Sequence, residues 1–242
     1  IITELATNGS LHDVIMQENR GIAPDEWNFT KKLINIYGIA SGMSYLHANN
    51  IIHRDLKTDN ILMDNNLYPK ISDFGLSKIT DFLSISINFQ SQKEQKGTPI
   101  YMAPEIFESN KYSKSSDVYA FAFIIQEIVS YDEPIKATIW ELMRKVVNGY
   151  RPEIKKDVPA YKLILWCTTT YGREESCGVG HIMYAYRNLI ERCWSHNAEE
   201  RPSFEQIVDE LKTNSDFITD LVDQEEYYDF IDFIDNSFCR LR

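Results

Sequence analysis

Three short segments contain side chains whose types and order could support chemistry on an anionic group. The first combines carboxylates, an amine and an amide in the order His53-Arg54-Asp55-Leu56-Lys57-Thr58-Asp59-Asn60. The other two are Asp73-Phe74-Gly75 and Ala103-Pro104-Glu105. Carboxylate and amide oxygens are hard ligands that suit Mg²⁺, a carboxylate can accept a proton, and a lysine can neutralise negative charge. Each segment alone is a weak signal, but all three in this order are strong evidence for one reactive centre.

Several predicted elements must position these segments. Two short strands, around Ile61–Met63 and Pro69–Ile71, are joined by Asp64-Asn65-Asn66. This pattern predicts a hairpin between the first and the second of the three segments. The polar stretch 76–99 predicts a long loop between the last two. Apolar spacing predicts helices over residues 31–48, 115–130, 136–148 and 186–195. Ser203 and Gln206 form the capping-box pattern that begins a further helix.

Composition excludes several classes of protein. The chain has 242 residues, of which 36 are acidic and 25 basic, so its net charge is −11. A generic nucleic-acid binder is excluded because it needs a basic surface. Hydrophobic residues make up 43% of the chain and aromatic residues 12%, which excludes a mainly disordered chain. The longest apolar run, Val118–Ile125, is much shorter than the about 20 residues of a membrane span.

The cysteines indicate the cellular compartment of the protein, and the first residue indicates whether the chain is part of a longer product. The four cysteines form no Cys-x-x-Cys pair and have no histidine cluster beside them, which argues against a zinc site. We therefore expect a reducing, intracellular and cytoplasmic compartment. Because the chain begins with Ile1 and no secretory leader follows, we expect it to be part of a longer product.

The three segments together resemble the signature of the protein-kinase family, over Ile1 to about Thr213. The resemblance implies a mainly helical lobe with short β hairpins, the α+β C-terminal lobe of a kinase, without most of the N-terminal β lobe. Residues 97–105 (Gly-Thr-Pro-Ile-Tyr-Met-Ala-Pro-Glu), 116–121 (Ser-Asp-Val-Tyr-Ala-Phe) and 192–194 (Arg-Cys-Trp) are similar to the tyrosine-kinase-like group. Members of that group mostly phosphorylate serine or threonine, and Lys57 stands at the position typical of such enzymes.

The resemblance implies an ATP-dependent protein serine/threonine kinase and assigns a role to each of four residues. Asp55 would be the base that accepts the proton of the substrate hydroxyl, and Lys57 would reach the transferred phosphate. Asn60 and Asp73 would hold Mg²⁺. The implied partners are ATP and a protein substrate, with no nucleic acid and no membrane span.

The resemblance also assigns the nucleotide site. Glu4 to Ala6 would form the hinge that pairs with adenine, next to Thr3. Ser10 would lie near the ribose, and Leu62 would form the floor beneath the base.

Other residues would support the catalytic loop, which the resemblance places at residues 53–60. His53 and Phe74 would stack, Asp117 would brace the loop, and Glu105 would pair with Arg201. Arg54, directly before the base, would bind a phosphate on the following loop. The sites for that phosphate are Thr80, Ser84, Ser86, Ser91 and Thr98.

Three stretches depart from the family pattern. The chain begins at the hinge, so it lacks the Gly-rich loop and the strand lysine; we expect residues 1–242 alone to bind ATP poorly. Residues 160–184 are interpreted as an insert within the kinase domain 1–213, whose removal would restore the family pattern. Residues 214–242 are interpreted as an acidic C-terminal tail, a solvated and partly helical extension.

Two other functions compete with this interpretation. An inactive pseudokinase or scaffold would bind partners without chemistry, but it would not need Asp55, Lys57, Asn60 and Asp73. A small-molecule phosphotransferase of kinase-like fold would share the aspartate and asparagine, but it would lack the Ala-Pro-Glu segment. Both alternatives are less consistent with the sequence than a protein kinase.

Overall fold

The computed structural model describes residues 6–74, 78–79, 99–130, 138–152 and 179–239. These residues form the mainly helical α+β lobe that the resemblance implies. The helices are α1 (Leu11–Asn19), α2 (Phe29–Ala48), α3 (Pro104–Ser109), α4 (Lys114–Ser130), α5 (Ile139–Val147), α6 (Val179–Cys193), α7 (Phe204–Thr213) and α8 (Gln224–Cys239). The strands are β1 (Ile51–Ile52), β2 (Ile61–Met63), β3 (Pro69–Ile71) and β4 (Lys78–Ile79).

Helices α2 and α4 form the centre of the core. Most residues of both helices are buried. Helix α2 packs against α7, α8 and β3, and α4 packs against α6. Because both helices bury apolar side chains on several sides, they are stable only inside such a layer of other elements. No helix in the described parts of the chain is both long and apolar enough to cross a bilayer.

The predicted hairpin is present with the predicted strands. Strands β2 and β3 pair antiparallel, with Leu62 opposite Lys70. The carboxylate of Asp64 closes the turn, because its Oδ1 accepts hydrogen bonds from the backbone N–H groups of Asn66 and Tyr68, both at 2.9 Å. Leu67, at the end of the turn, has a φ of +58°. Turn chemistry that is local in sequence therefore specifies this hairpin.

Two glycines of α2 bring the hairpin close to that helix. A Cβ atom at Gly38 would lie 2.7 Å from Pro69 Cγ, and one at Gly42 would lie 2.8 Å from Ile71 Cδ1. Strand β3 therefore lies so close to α2 that a larger residue at either glycine would force a neighbouring side chain to shift.

The ends of several elements differ from the sequence-based expectation. Helix α6 begins at Val179, seven residues before the predicted start, and so includes residues 179–184 of the interpreted insert. The remainder of that insert, 160–178, lies outside the described residues. The predicted loop 76–99 is also wrong in part, since Lys78–Ile79 pair with β1 as strand β4. A two-residue strand gives too short a pattern to be recognised from sequence.

Residues 214–239 are not simply a solvated extension. Helix α8 has one face buried in the lobe, including Tyr227, Phe230 and Ile231, while its acidic residues lie mainly on the exposed side. Its apolar residues recur at helical spacing, which the high acidic content of the segment obscures.

Candidate active site

The carboxylate of Asp117, buried on α4, holds the start of the loop formed by residues 53–60. Its Oδ2 accepts hydrogen bonds from the backbone N–H of His53 at 2.8 Å, and its Oδ1 accepts one from the N–H of Arg54 at 2.9 Å. His47 Nε2 contacts the same Oδ2 at 2.9 Å. Arg54 has a φ of +74°, a conformation that costs a non-glycine residue about 1–3 kcal/mol. The bracing contact expected of Asp117 is thus present, and it stabilises a strained turn immediately before Asp55.

Three of the predicted catalytic residues meet directly after this turn. Lys57 Nζ lies 3.6 Å from Asp55 Oδ2. Asn60 Nδ2 donates to the backbone oxygen of Asp55 at 2.8 Å and to its Oδ2 at 3.1 Å. The contacts use only Nδ2 of the amide, and its other polar atom, Oδ1, is of the acceptor type that a metal ion requires.

The residue expected to complete the metal site, Asp73, is fixed through its neighbour. The N–H and the hydroxyl of Ser72 both donate to the backbone oxygen of Asn60 at 2.9 Å. His53 Nε2 contacts the backbone oxygen of Ser72, also at 2.9 Å. Asp73 itself is exposed and has a φ of +57°. The hydrogen bonds of Ser72 therefore attach the residue before Asp73 to the loop that carries Asn60.

The expected stacking partners also meet. The rings of His53 and Phe74 have centroids 5.5 Å apart. His53 is fully buried, whereas Phe74 is 48% exposed. Gly75 lies outside the described residues.

Two residues of the expected nucleotide site lie next to each other. Ser10 and Leu62 form an antiparallel bridge, and Met63 N donates to Gly9 O at 2.9 Å. The hydroxyl of Ser10 also has a structural role, because it caps α1 by accepting from the N–H of Asp13 at 3.2 Å. The hinge is described only from Ala6 onward; Thr3 and Glu4 lie outside the described residues.

The expected ion pair is bidentate, and its arginine is fully buried while its glutamate is 19% exposed. Arg201 Nη1 lies 2.7 Å from Glu105 Oε1, and Nη2 lies 2.9 Å from Oε2. The Arg201 side chain is 0% exposed, and its Cζ lies 5.0 Å from the centroid of the Tyr119 ring. The pair joins the segment Ala103-Pro104-Glu105 to the turn before α7.

Arg54 is positioned near the surface of this site. Its Cζ lies 5.0 Å from the centroid of the Tyr112 ring. Burial lowers the pKa of the guanidinium from its ordinary value, which is so high that the group stays charged at neutral pH. The serines and threonines expected to bind it when phosphorylated all lie outside the described residues, so their pairing with Arg54 stays a prediction.

Sequence reasoning missed one polar cluster beside the predicted catalytic residues. Glu127 on α4 accepts hydrogen bonds from Thr58 Oγ1 at 2.9 Å and from the hydroxyl of Tyr101. Burial raises the pKa of Glu127 and also that of Tyr101. The cluster connects the turn Thr58–Asn60 with the turn Pro99–Tyr101. The available signal was a carboxylate within an otherwise apolar buried helix, which needs a partner.

Replacing Thr58 by valine should destabilise the lobe by about 1–3 kcal/mol, because it removes a buried donor to Glu127 without changing the side-chain shape. Chemical unfolding of the wild-type and variant proteins measures the difference. Thr213→Val is the matched control, since Thr213 is exposed at the end of α7. Equal losses in the two variants would contradict a structural role for the Thr58 hydrogen bond.

Comparison with known proteins agrees with this geometry. Residues 1–211 match the family model described as protein tyrosine and serine/threonine kinase. A probable LIM domain-containing serine/threonine-protein kinase of Dictyostelium discoideum is 31% identical over 220 residues, which is 90% of this chain and 28% of that protein. The RGS domain-containing serine/threonine-protein kinase A of the same organism is 34% identical over 216 residues, 88% of this chain and 16% of that protein.

A mammalian protein is similar over the same region. Receptor-interacting serine/threonine-protein kinase 2 of Bos taurus is 32% identical over 225 residues, 88% of this chain and 37% of that protein. The chain therefore spans well under half the length of these relatives. Because the family model covers most of this chain, the protein belongs to the protein tyrosine and serine/threonine kinase family.

Proposed function

We propose that the protein transfers the γ-phosphate of ATP to a serine or threonine hydroxyl of a protein substrate. The observation that carries the proposal is the meeting of Asp55, Lys57 and Asn60 at the end of one braced turn. Phosphoryl transfer requires little covalent chemistry from a protein, so a base and positioned charges are what such an enzyme must supply.

The contacts suggest how each side chain acts. The Asp55 carboxylate takes the proton of the substrate hydroxyl while the oxygen of that hydroxyl bonds to the γ-phosphorus of ATP. The bond between the γ-phosphorus and the bridging oxygen of the β-phosphate breaks, and ADP leaves. Lys57, 3.6 Å from that carboxylate, stands where its charge can stabilise the transferred group. The hydrogen bonds from Asn60 Nδ2 orient the Asp55 segment, and the amide oxygen of Asn60 is the atom that would bind a metal ion.

The donor set fits a magnesium ion. Asn60 offers an amide oxygen and Asp73 a carboxylate, both hard donors that Mg²⁺ accepts beside phosphate oxygens and water. When bound, the ion would neutralise charge on the phosphates. The short connection through Ser72 supports the assignment, because it keeps the two ligand-bearing segments together.

Removal of the metal should stop the reaction. Excess chelator is expected to lower the rate of transfer at least about a hundredfold, and added Mg²⁺ should restore it. Asp73→Asn should raise the Mg²⁺ concentration needed for half-maximal rate. A rate that is unchanged by chelation would contradict the assignment of Asn60 and Asp73 as metal ligands.

The nucleotide site is proposed by the same reasoning. Leu62 would lie beneath the base, Ser10 near the ribose, and Glu4 and Ala6 in the hinge. The support for this assignment is the bridge that joins Ser10 to Leu62 at one edge of the lobe.

The class of acceptor can be tested with three peptides that differ only in having serine, threonine or tyrosine at one position. The full-length protein should phosphorylate the serine and threonine peptides, because Lys57 occupies the position typical of serine/threonine kinases. Mass spectrometry of the products identifies the modified residue. Preferential phosphorylation of the tyrosine peptide would overturn the proposed substrate class while leaving kinase activity intact.

A further inference from the structure

Helix α8 lies beyond the part of the chain that matches the family model, yet it is packed into the lobe. Tyr227 is fully buried and Phe230 is 3% exposed. The ring centroid of Tyr37 on α2 lies 5.9 Å from that of Tyr227 and 6.3 Å from that of Phe230. These aromatic contacts fix one face of α8 against the central helix.

Polar contacts attach both ends of this face. The N–H of Asp223 donates to Thr30 Oγ1 at 2.8 Å, next to the pair formed by Lys31 and Glu226. Further along, the Tyr227 hydroxyl donates to the backbone oxygen of Leu211 at 3.0 Å. The last of these contacts is the pair between Lys212 Nζ and Asp235 Oδ2 at 2.7 Å. Helix α8 is therefore held along its length and in one register.

The same face touches the β2–β3 hairpin. The ring of Phe230 lies 4.6 Å from that of Tyr68, centroid to centroid, and Lys31 Nζ lies 4.5 Å from the Tyr68 centroid. A Cβ atom at Gly38 would lie 2.7 Å from Pro69 Cγ and 3.1 Å from Phe230 Cζ. Phe230 therefore packs where the hairpin meets α2, and it leaves Tyr68 and Pro69 little space to move.

The hairpin in turn leads to the candidate site. Leu62 is paired with Lys70 across the two strands. The position of β3 therefore determines the position of Leu62, the residue expected to lie beneath the adenine base. Ser72 follows β3 directly and bonds to Asn60, and Asp73 comes next. A displacement at Tyr68 and Pro69 would reach both Leu62 and Asp73 through a few residues of continuous backbone.

We propose that Phe230 and Tyr68 are positioning residues, through which α8 holds the β2–β3 hairpin and with it Leu62 and Asp73. The interpretation of Leu62 and Asp73 rests on the proposed kinase function, whereas the contact between α8 and the hairpin does not. Helix α8 is on this account a brace for the nucleotide and metal site, built from the segment after the family match.

The test compares Phe230→Ala with Phe233→Ala in the full-length protein. Both substitutions remove a phenylalanine ring from α8, but Phe233 is 60% exposed. Phe230→Leu provides a milder variant if the alanine variant does not fold. The two readouts are amide hydrogen exchange, compared between residues 61–73 and helix α4, and the affinity for Mg²⁺-ADP measured by calorimetry.

For Phe230→Ala we expect hydrogen exchange in residues 61–73 to accelerate about tenfold relative to α4, and the affinity for Mg²⁺-ADP to fall several-fold. Phe230→Leu should show the same pattern in weaker form, and Phe233→Ala should behave as the wild type. The proposal is overturned if exchange in residues 61–73 is unchanged, or if it accelerates only in proportion to α4, because Phe230 would then contribute to stability alone.

Neither readout needs phosphate transfer, so the two proposals fail separately. If the hairpin loosens in Phe230→Ala and the wild-type protein transfers no phosphate, the brace is supported and the kinase function is contradicted. If the wild-type protein transfers phosphate, but Phe230→Ala changes neither hydrogen exchange in the hairpin nor nucleotide affinity, the kinase function is supported and the brace is contradicted.

Discussion

The Asp55→Asn variant of the full-length protein should transfer phosphate about 10²–10⁴ times more slowly than the wild type. An amide cannot take the proton of the acceptor hydroxyl, but it has the size of the carboxylate it replaces. The hydrogen bond from Asn60 Nδ2 to the backbone oxygen of residue 55 does not involve the substituted group, so the loop should keep its shape. Initial rates with a serine peptide, together with the affinity for Mg²⁺-ADP, separate the loss of chemistry from a loss of binding.

Asp59→Asn is the control for this variant. Asp59 lies in the same loop but is exposed, so neutralising it should change the rate little. The same variant separates the kinase function from a scaffold function. If the protein acts as a scaffold, partner binding should survive in Asp55→Asn. If Asp55→Asn transferred phosphate at a rate close to that of the wild type, Asp55 would not be the base.

The largest effect on stability is expected from Glu105→Gln. The substitution leaves the Arg201 guanidinium, which is 0% exposed, without its compensating charge. Breaking one partner of a buried pair typically costs about 3–5 kcal/mol, which is an upper bound here because the Glu105 side chain is 19% exposed. For a lobe of this size, that loss corresponds to a fall of about 6–20 °C in the unfolding temperature. Calorimetry of the full-length protein measures the shift in the transition of this lobe.

The control for Glu105→Gln is available on the same helix. Glu108 on α3 is exposed, and Glu108→Gln should leave the unfolding temperature almost unchanged. If the two variants unfolded at the same temperature, the pair between Glu105 and Arg201 would make no net contribution to the stability of the lobe.

Local chemistry explains which parts of the fold were predictable. The β2–β3 hairpin depends on the Asp64 turn, and α7 depends on the capping box of Ser203 and Gln206, so both were readable from neighbouring residues. The three segments of the candidate active site were recognised because their residue types and order are specific. The geometry that unites Asp55, Lys57 and Asn60 agrees with that order, although the role of each remains a prediction.

The contacts that sequence reasoning missed are long-range. Glu127 meets Thr58 and Tyr101 only because three separate elements converge in the folded lobe. Likewise, the acidic composition of residues 214–242 suggests a solvated tail, whereas Tyr227 is buried against Tyr37 and Phe230 is buried in the space beside Gly38. Composition describes the exposed face of such a helix, while its packing depends on residues far away in sequence.

The central claim is that this protein is an enzyme and not only a binding module. The most direct measurement is the time course of γ-phosphate transfer from ATP to a serine peptide, with full-length wild-type protein, Asp55→Asn and a reaction without Mg²⁺ run in parallel. We predict steady phosphopeptide formation by the wild type alone. Equal and negligible transfer in all three reactions, by a wild-type protein shown to be folded, would contradict the kinase function.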